Sequence, residues 1–139
     1  MRLSVGLEWV VYEQLTREYE AEIVAGYALY LLSSAAVAVA FAPTIAVPAV
    51  LMLALGDPVS GLASGDAVGR IKQPRALAAM FTACAAIAVA FVPPVVALAG
   101  AAAATGADGV TVTVGGRIVD DNLTIAPAAA LAMRAGQLV

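Results

Sequence analysis

Ile23 to Gly56, IVAGYALYLLSSAAVAVAFAPTIAVPAVLMLALG, runs without one charged side chain. It is longer than the roughly 20 apolar residues that one transmembrane helix needs, and Pro43 divides it. Proline disfavours a helical residue before it and cannot continue the hydrogen-bond ladder, so the stretch reads as two helices, 23–42 and 45–64. A second charge-free run, Ala76 to Ala107, is divided in the same way by Pro93 and Pro94, which gives helices over 76–92 and 95–107. A fifth apolar segment, 123–139, follows the polar stretch Asp108 to Asn122. Within that stretch the β-branched Val110 to Val114 and the pair Gly115-Gly116 suggest a small hairpin or loop.

The composition agrees with a chain that lives in lipid. Apolar residues make up 63% and charged residues 12% of the 139, and mean hydropathy is +0.95. Soluble domains carry about 25% charged residues. The expected fold is all-α, a polytopic transmembrane helical bundle of about five spans forming one membrane domain over 1–139. Residues 1–22 are expected to form an interfacial helix, because Leu3, Leu7, Val11 and Leu15 share one row while Trp9, Tyr12 and Tyr19 suit a headgroup boundary. That segment carries five glutamates and no continuous apolar core, so it is not expected to act as a secretory signal.

If the first four helices alternate, 15 of the 17 charged residues fall on one face, with six of the seven Lys and Arg among them. The positive-inside rule makes that face, and the N-terminus, cytoplasmic in the cell membrane. Arg134 lies at the other end, where it can snorkel outward. The net charge of −3 leaves no basic footprint for nucleic acid. The absence of histidine removes a histidine base and a histidine-ligated zinc centre. Cys84, the single cysteine, reads as a small hydrophobe.

Carboxylates are the chemistry that remains. Asp57 sits about 10 Å inside its helix end, and a charge at that depth costs several kcal/mol unless it meets a partner or water. Pro58 frees a carbonyl one turn earlier, so Gly56-Asp57-Pro58 is expected as a broken or kinked helix lining a cavity. Gly61 and Gly65 have GxxxG spacing, which fits close helix packing or, with Ser60, backbone approach to phosphate. Arg70, Lys72 and Arg75 fit a topology signal or a polyphosphate clamp. Asp120-Asp121-Asn122 precedes the last helix; one of them is accounted for as an N-cap, and two carboxylates are surplus to capping. Carboxylates and cations at one level suit a Mg²⁺-nucleotide.

Leu55-Gly56-Asp57-Pro58-Val59-Ser60-Gly61-Leu62 resembles the GDxxAS-type motif of CTP-dependent lipid alcohol kinases, the group with dolichol kinase, phytol kinase and a CTP-using diacylglycerol kinase. Asp120-Asp121-Asn122-Leu123-Thr124-Ile125 with Pro127 is similar to that family's DDNLTIP signature. The resemblance covers about Leu15 to Met133 and looks most like archaeal members, which carry further N-terminal helices. It differs in Lys72-Gln73-Pro74-Arg75, where relatives have a glutamate-containing segment, and in Ala126, which displaces the proline by one residue. The resemblance implies transfer of the γ-phosphoryl group of CTP to a polyprenol-type membrane lipid, with Mg²⁺ or another divalent cation. It implies catalytic roles for Asp57, Asp120 and Asp121, nucleotide contacts from Gly56, Ser60, Gly61, Lys72, Arg75 and Asn122, and metal ligation by Asp57, Asp108 and Asp121. Phosphatidate cytidylyltransferases share a version of the first motif, and a non-catalytic polytopic protein is the alternative of a different class.

Overall fold

A computed structural model describes residues 25–65 and 71–139. The interfacial helix expected over 1–22, and Arg70 in the loop after the second helix, lie outside the described residues. Five helices carry most of the rest: α1 (Ala25–Ala40), α2 (Pro43–Ser64), α3 (Pro74–Ala88), α4 (Pro94–Gly109) and α5 (Asp121–Gly136). A two-stranded antiparallel hairpin, β1 (Val112–Val114) and β2 (Arg117–Val119), joins α4 to α5.

Prolines set the helix starts. Pro43, Pro74 and Pro94 open α2, α3 and α4, each after an extended residue. The first helical position tolerates proline because its missing N–H has no partner inside the helix anyway. Asp120 caps α5: its side chain accepts a hydrogen bond from the Asn122 backbone N–H. The hairpin turns on Gly115 and Gly116 at φ 59° and 80°. Two successive positive φ values make the mirror-image turn whose twist suits paired strands.

Of the broken or kinked helix expected at Gly56-Asp57-Pro58, the break is not found. The chain stays helical through Pro43–Ser64, and Met52–Gly56 widens to a π-helical stretch immediately before Asp57. Pro58 lacks a donor and crowds the carbonyl one turn earlier, and the wider turn absorbs that conflict without ending the helix.

The core is built from small side chains. Ala97, Ala101 and Ala104 of α4 and Ala126, Ala129 and Ala130 of α5 are all fully buried, and the two helices form the most extensive pair. Met52, Met80 and Met133 fill the gaps between the helices. A Cβ on Gly56 would lie 2.8 Å from Met80 Sδ and 2.9 Å from Cys84 Sγ, so α2 and α3 approach closely there. The close packing expected at Gly61 is absent among the described residues: a Cβ on Gly61 meets nothing within 4 Å.

α2 is the one described helix long and apolar enough to cross a membrane, with mean hydropathy 1.7. α1 and α3 are shorter apolar helices. α4 and α5 have 16 residues each, about 24 Å at 1.5 Å per residue. The hydrocarbon core measures about 30 Å, which a straight helix of that length does not fill.

Candidate functional site

Four segments deliver four charged side chains to one end of the bundle. Asp57 comes from α2, directly after the π-helical stretch. Ser60, one turn on, is fully buried. Asp108 comes from the last turn of α4, which runs two residues beyond the expected end at 107 and so carries this aspartate in helical geometry. Asp121 opens α5. Lys72 arrives from the segment before α3. Its backbone N–H donates to the Gly109 carbonyl at 3.1 Å, and Ile71 bridges to Val110.

Lys72 Nζ stands among the carboxylates. It pairs with Asp108 Oδ1 and lies 3.9 Å from both Asp57 Oδ1 and Asp121 Oδ2. Ser60 Oγ donates to Asp108 Oδ2 at 2.6 Å and accepts from Lys72 Nζ at 3.4 Å. The Asp108 side chain is wholly buried, and those of Asp57, Asp121 and Lys72 are about one-third exposed. Buried carboxylates persist when paired and hydrogen-bonded, and Asp108 has both kinds of partner. Asp121 precedes the apolar run that opens at Leu123. Burial pushes its carboxyl above the ordinary carboxylate range; the Lys72 charge opposes this, and Asp120 and Asp108 reinforce it.

One oxygen from each of Asp57, Asp108 and Asp121 lies within 4.8 Å of the others. Oxygens on opposite sides of a Mg²⁺ ion stand about 4.2 Å apart, given bonds of about 2.1 Å, so small side-chain shifts suffice to close the set on a cation. The donors are hard carboxylate oxygens, and three of them outnumber the single ammonium at their centre. The residues therefore fit a divalent cation.

The other candidates are arranged around this group. Asp120 Oδ1 is engaged at 2.9 Å by both the backbone and side-chain nitrogens of Asn122 and stands outside the three-carboxylate set. The Asn122 carbonyl accepts from Ser33 Oγ at 2.6 Å, which ties the start of α5 to α1. Arg75 Nη2 donates to the Ser64 carbonyl at 3.3 Å and so closes the end of α2. Gly65 leaves room for that guanidinium, with φ +61°. Gly56 is a packing glycine, and Gly61 faces outward. A cleft of about 440 Å³, lined by Gly26, Tyr27, Tyr30, Ala54 and Asn122, flanks the group on the α1 side.

Lys72 was expected at the level of the aspartates, as a topology signal or a phosphate contact; its direct pairing with the carboxylates was not anticipated. Asp108 held the signal: a lone carboxylate ending a long apolar run needs a cation, and Lys72 is the only lysine of the chain. No family model, no curated protein and no solved structure matches the chain.

Proposed function

We propose that the chain is the catalytic core of a CTP-dependent lipid alcohol kinase, which transfers the γ-phosphoryl group of CTP to the terminal hydroxyl of a polyprenol such as dolichol. The observation that carries this reading is the meeting of the two motifs. Asp57 of the first and Asp121 of the second stand within 4.8 Å of each other and of Asp108, although 50 residues or more separate Asp57 from the other two in sequence. Helices meeting only for packing have no need to gather three carboxylates, because each buried charge is costly.

The bundle is embedded as a polytopic membrane domain. Its outer surface supports this: Leu32, Val39, Leu62, Val95 and Leu131 are all more than half exposed. Scattered exposed leucines are ordinary, but a shell of them around an alanine core suits lipid better than water. The charged end then lies at the cytoplasmic headgroup level, where a soluble nucleotide and a lipid hydroxyl can both arrive.

In the proposed reaction Asp57, Asp108 and Asp121 would hold Mg²⁺. When bound, the ion neutralises charge on the phosphate oxygens. Ser60 fixes the buried Asp108. Lys72 supplies a mobile positive charge to the phosphates. The lipid hydroxyl oxygen bonds to the γ-phosphorus, the bond from that phosphorus to the β–γ bridging oxygen breaks, CDP leaves, and Asp121 takes the hydroxyl proton. Asp120 and Asn122 act as positioning residues for Asp121 through the helix cap. Most of the catalysis is thus positioning and charge stabilisation.

Isolated membranes containing the chain, given γ-labelled CTP and added polyprenol, test the reading. Label is expected in the lipid with the wild type and at no more than about 1% of that level with Asp57→Ala or Asp121→Ala, a loss in the range for removing a key charge-stabilising group. Undiminished labelling in either variant contradicts the assignment.

A further inference from the structure

We propose that Lys72 is a resident counter-ion which the divalent cation displaces, so that metal binding frees this lysine for the phosphates of the incoming nucleotide. The inference rests on the reading of Asp57, Asp108 and Asp121 as the metal ligands and adds an exchange step to it.

Position is the first ground. Lys72 Nζ pairs with Asp108 and stands 3.9 Å from an oxygen of each of the other two aspartates. Those oxygens lie within 4.8 Å of one another, so an ion bonded to all three falls within a few ångströms of the ammonium. A dication and an ammonium that close repel by far more than one tenfold step in affinity, even at the effective dielectric of a partly wet protein site. The two cations therefore exclude each other.

Mobility is the second ground. The Lys72 side chain is 27% exposed, which leaves it a route outward. The Lys72 backbone is pinned by the hydrogen bond to Gly109 and by the bridge from Ile71 to Val110. Exchange is then a swing of a flexible four-carbon stem about a fixed backbone, and needs no movement of helices. Ser60 stays behind as the hydrogen-bond donor to Asp108. Charge follows the same logic: three carboxylates with one ammonium are under-neutralised, while a dication relieves them and releases a positive charge at the place where phosphate arrives.

Because Lys72 is the only lysine, its amine reactivity reports the exchange in the unaltered protein. The full chain in lipid nanodiscs is treated with an acylating reagent, with and without Mn²⁺, and Lys72 is quantified by peptide mass. Saturating Mn²⁺ is expected to raise its acylation rate by about 10-fold or more, since the amine leaves a site enclosed by three carboxylates and Ser60, where it is 27% exposed, and becomes open to the reagent. In parallel, Mn²⁺ affinity read by electron paramagnetic resonance is expected to tighten by about 10-fold or more in Lys72→Gln and to stay within about 3-fold in Lys72→Arg, which keeps the charge. Unchanged or falling Lys72 reactivity at saturating Mn²⁺ overturns the proposal, and so does Lys72→Gln binding that is no tighter than the wild type. Absence of Mn²⁺ binding in every form overturns it together with the metal site. Transfer of γ-label without exchange sinks this inference alone; exchange without transfer sinks the kinase reading and leaves this one standing.

Discussion

Gly56→Ala separates a glycine kept for space from one kept for backbone freedom. Gly56 has an ordinary helical backbone, φ −66°, so alanine is conformationally welcome. In a helix interior that exchange gains about 0.5–1 kcal/mol when nothing opposes it. Here the new methyl would lie 2.8 Å from Met80 Sδ, 2.9 Å from Cys84 Sγ and 3.2 Å from Met80 Cε. The methionine end can rotate away. The Cys84 sulfur is too close to the α3 backbone to do so, and relief there means shifting α3 against α2. Overpacking of this kind costs about 1–3 kcal/mol, so the net expectation is a loss of about 1–2 kcal/mol. Adding Cys84→Ala removes one of the two clashes and should restore about 1 kcal/mol as a coupling energy in the double-mutant cycle. Gly61→Ala is the internal control: with no atom of the described residues within 4 Å of the new methyl, it should be stabilising by about 0.5–1 kcal/mol. Unfolding by denaturing detergent, followed by circular dichroism in mixed micelles, measures all five proteins: wild type, Gly56→Ala, Cys84→Ala, the double variant and Gly61→Ala. Equal stabilisation by Gly56→Ala and Gly61→Ala, or zero coupling between positions 56 and 84, would refute the packing argument.

Neighbouring aspartates should behave unequally. Asp120→Ala removes a helix cap, so a stability loss of about 1 kcal/mol is expected in the same unfolding assay. Its γ-label transfer should fall less than that of Asp121→Ala measured beside it. Asp108→Asn exchanges the wholly buried partner of Lys72 and Ser60 for a neutral one; a loss of about 2–3 kcal/mol is expected, below the range for fully buried pairs because the freed ammonium can turn toward water. Chelation of divalent cations should abolish label transfer, and added Mg²⁺ should restore it, whereas a chelator-resistant activity would exclude the three-aspartate site from the reaction. In the hairpin, Gly116→Val forces a β-branched residue to φ near 80° and should cost about 1–3 kcal/mol in the unfolding assay.

Much of the architecture was legible because charge-free runs and prolines speak directly to helices. The runs 23–56 and 76–107 gave four helices, and Pro43 and Pro94 fell at helix starts, as the rigid ring requires. Gly115-Gly116 after β-branched residues pointed to the hairpin for an equally local reason. What sequence could not supply is which neighbour each side chain meets. The GxxxG spacing at Gly61 suggested packing, but the glycine that α3 presses upon is Gly56, and only the placement of Met80 and Cys84 reveals it. Pro58 signalled trouble in α2 without saying how it would be resolved; a π-helical stretch and a broken helix satisfy the same missing donor. Of the site, Asp57 was identified by its cost in an apolar setting, Asp121 as a carboxylate surplus to capping, and Asp108 by the resemblance. Asp120 read equally well as a cap or a catalytic group, and the observed bonds to Asn122 favour the cap. Lys72 at the centre depended on long-range pairing of the segment before α3 with the end of α4, which has no local signature.

The fate of the two ends of CTP separates a kinase from a cytidylyltransferase. The purified chain, reconstituted in vesicles with a polyprenol, should be given CTP labelled separately at the α and γ phosphates with Mg²⁺. The prediction is γ-label in a lipid monophosphate and α-label in free CDP. Appearance of α-label in the lipid, or no γ-label in the lipid from a chain that has folded and binds Mn²⁺, would contradict it.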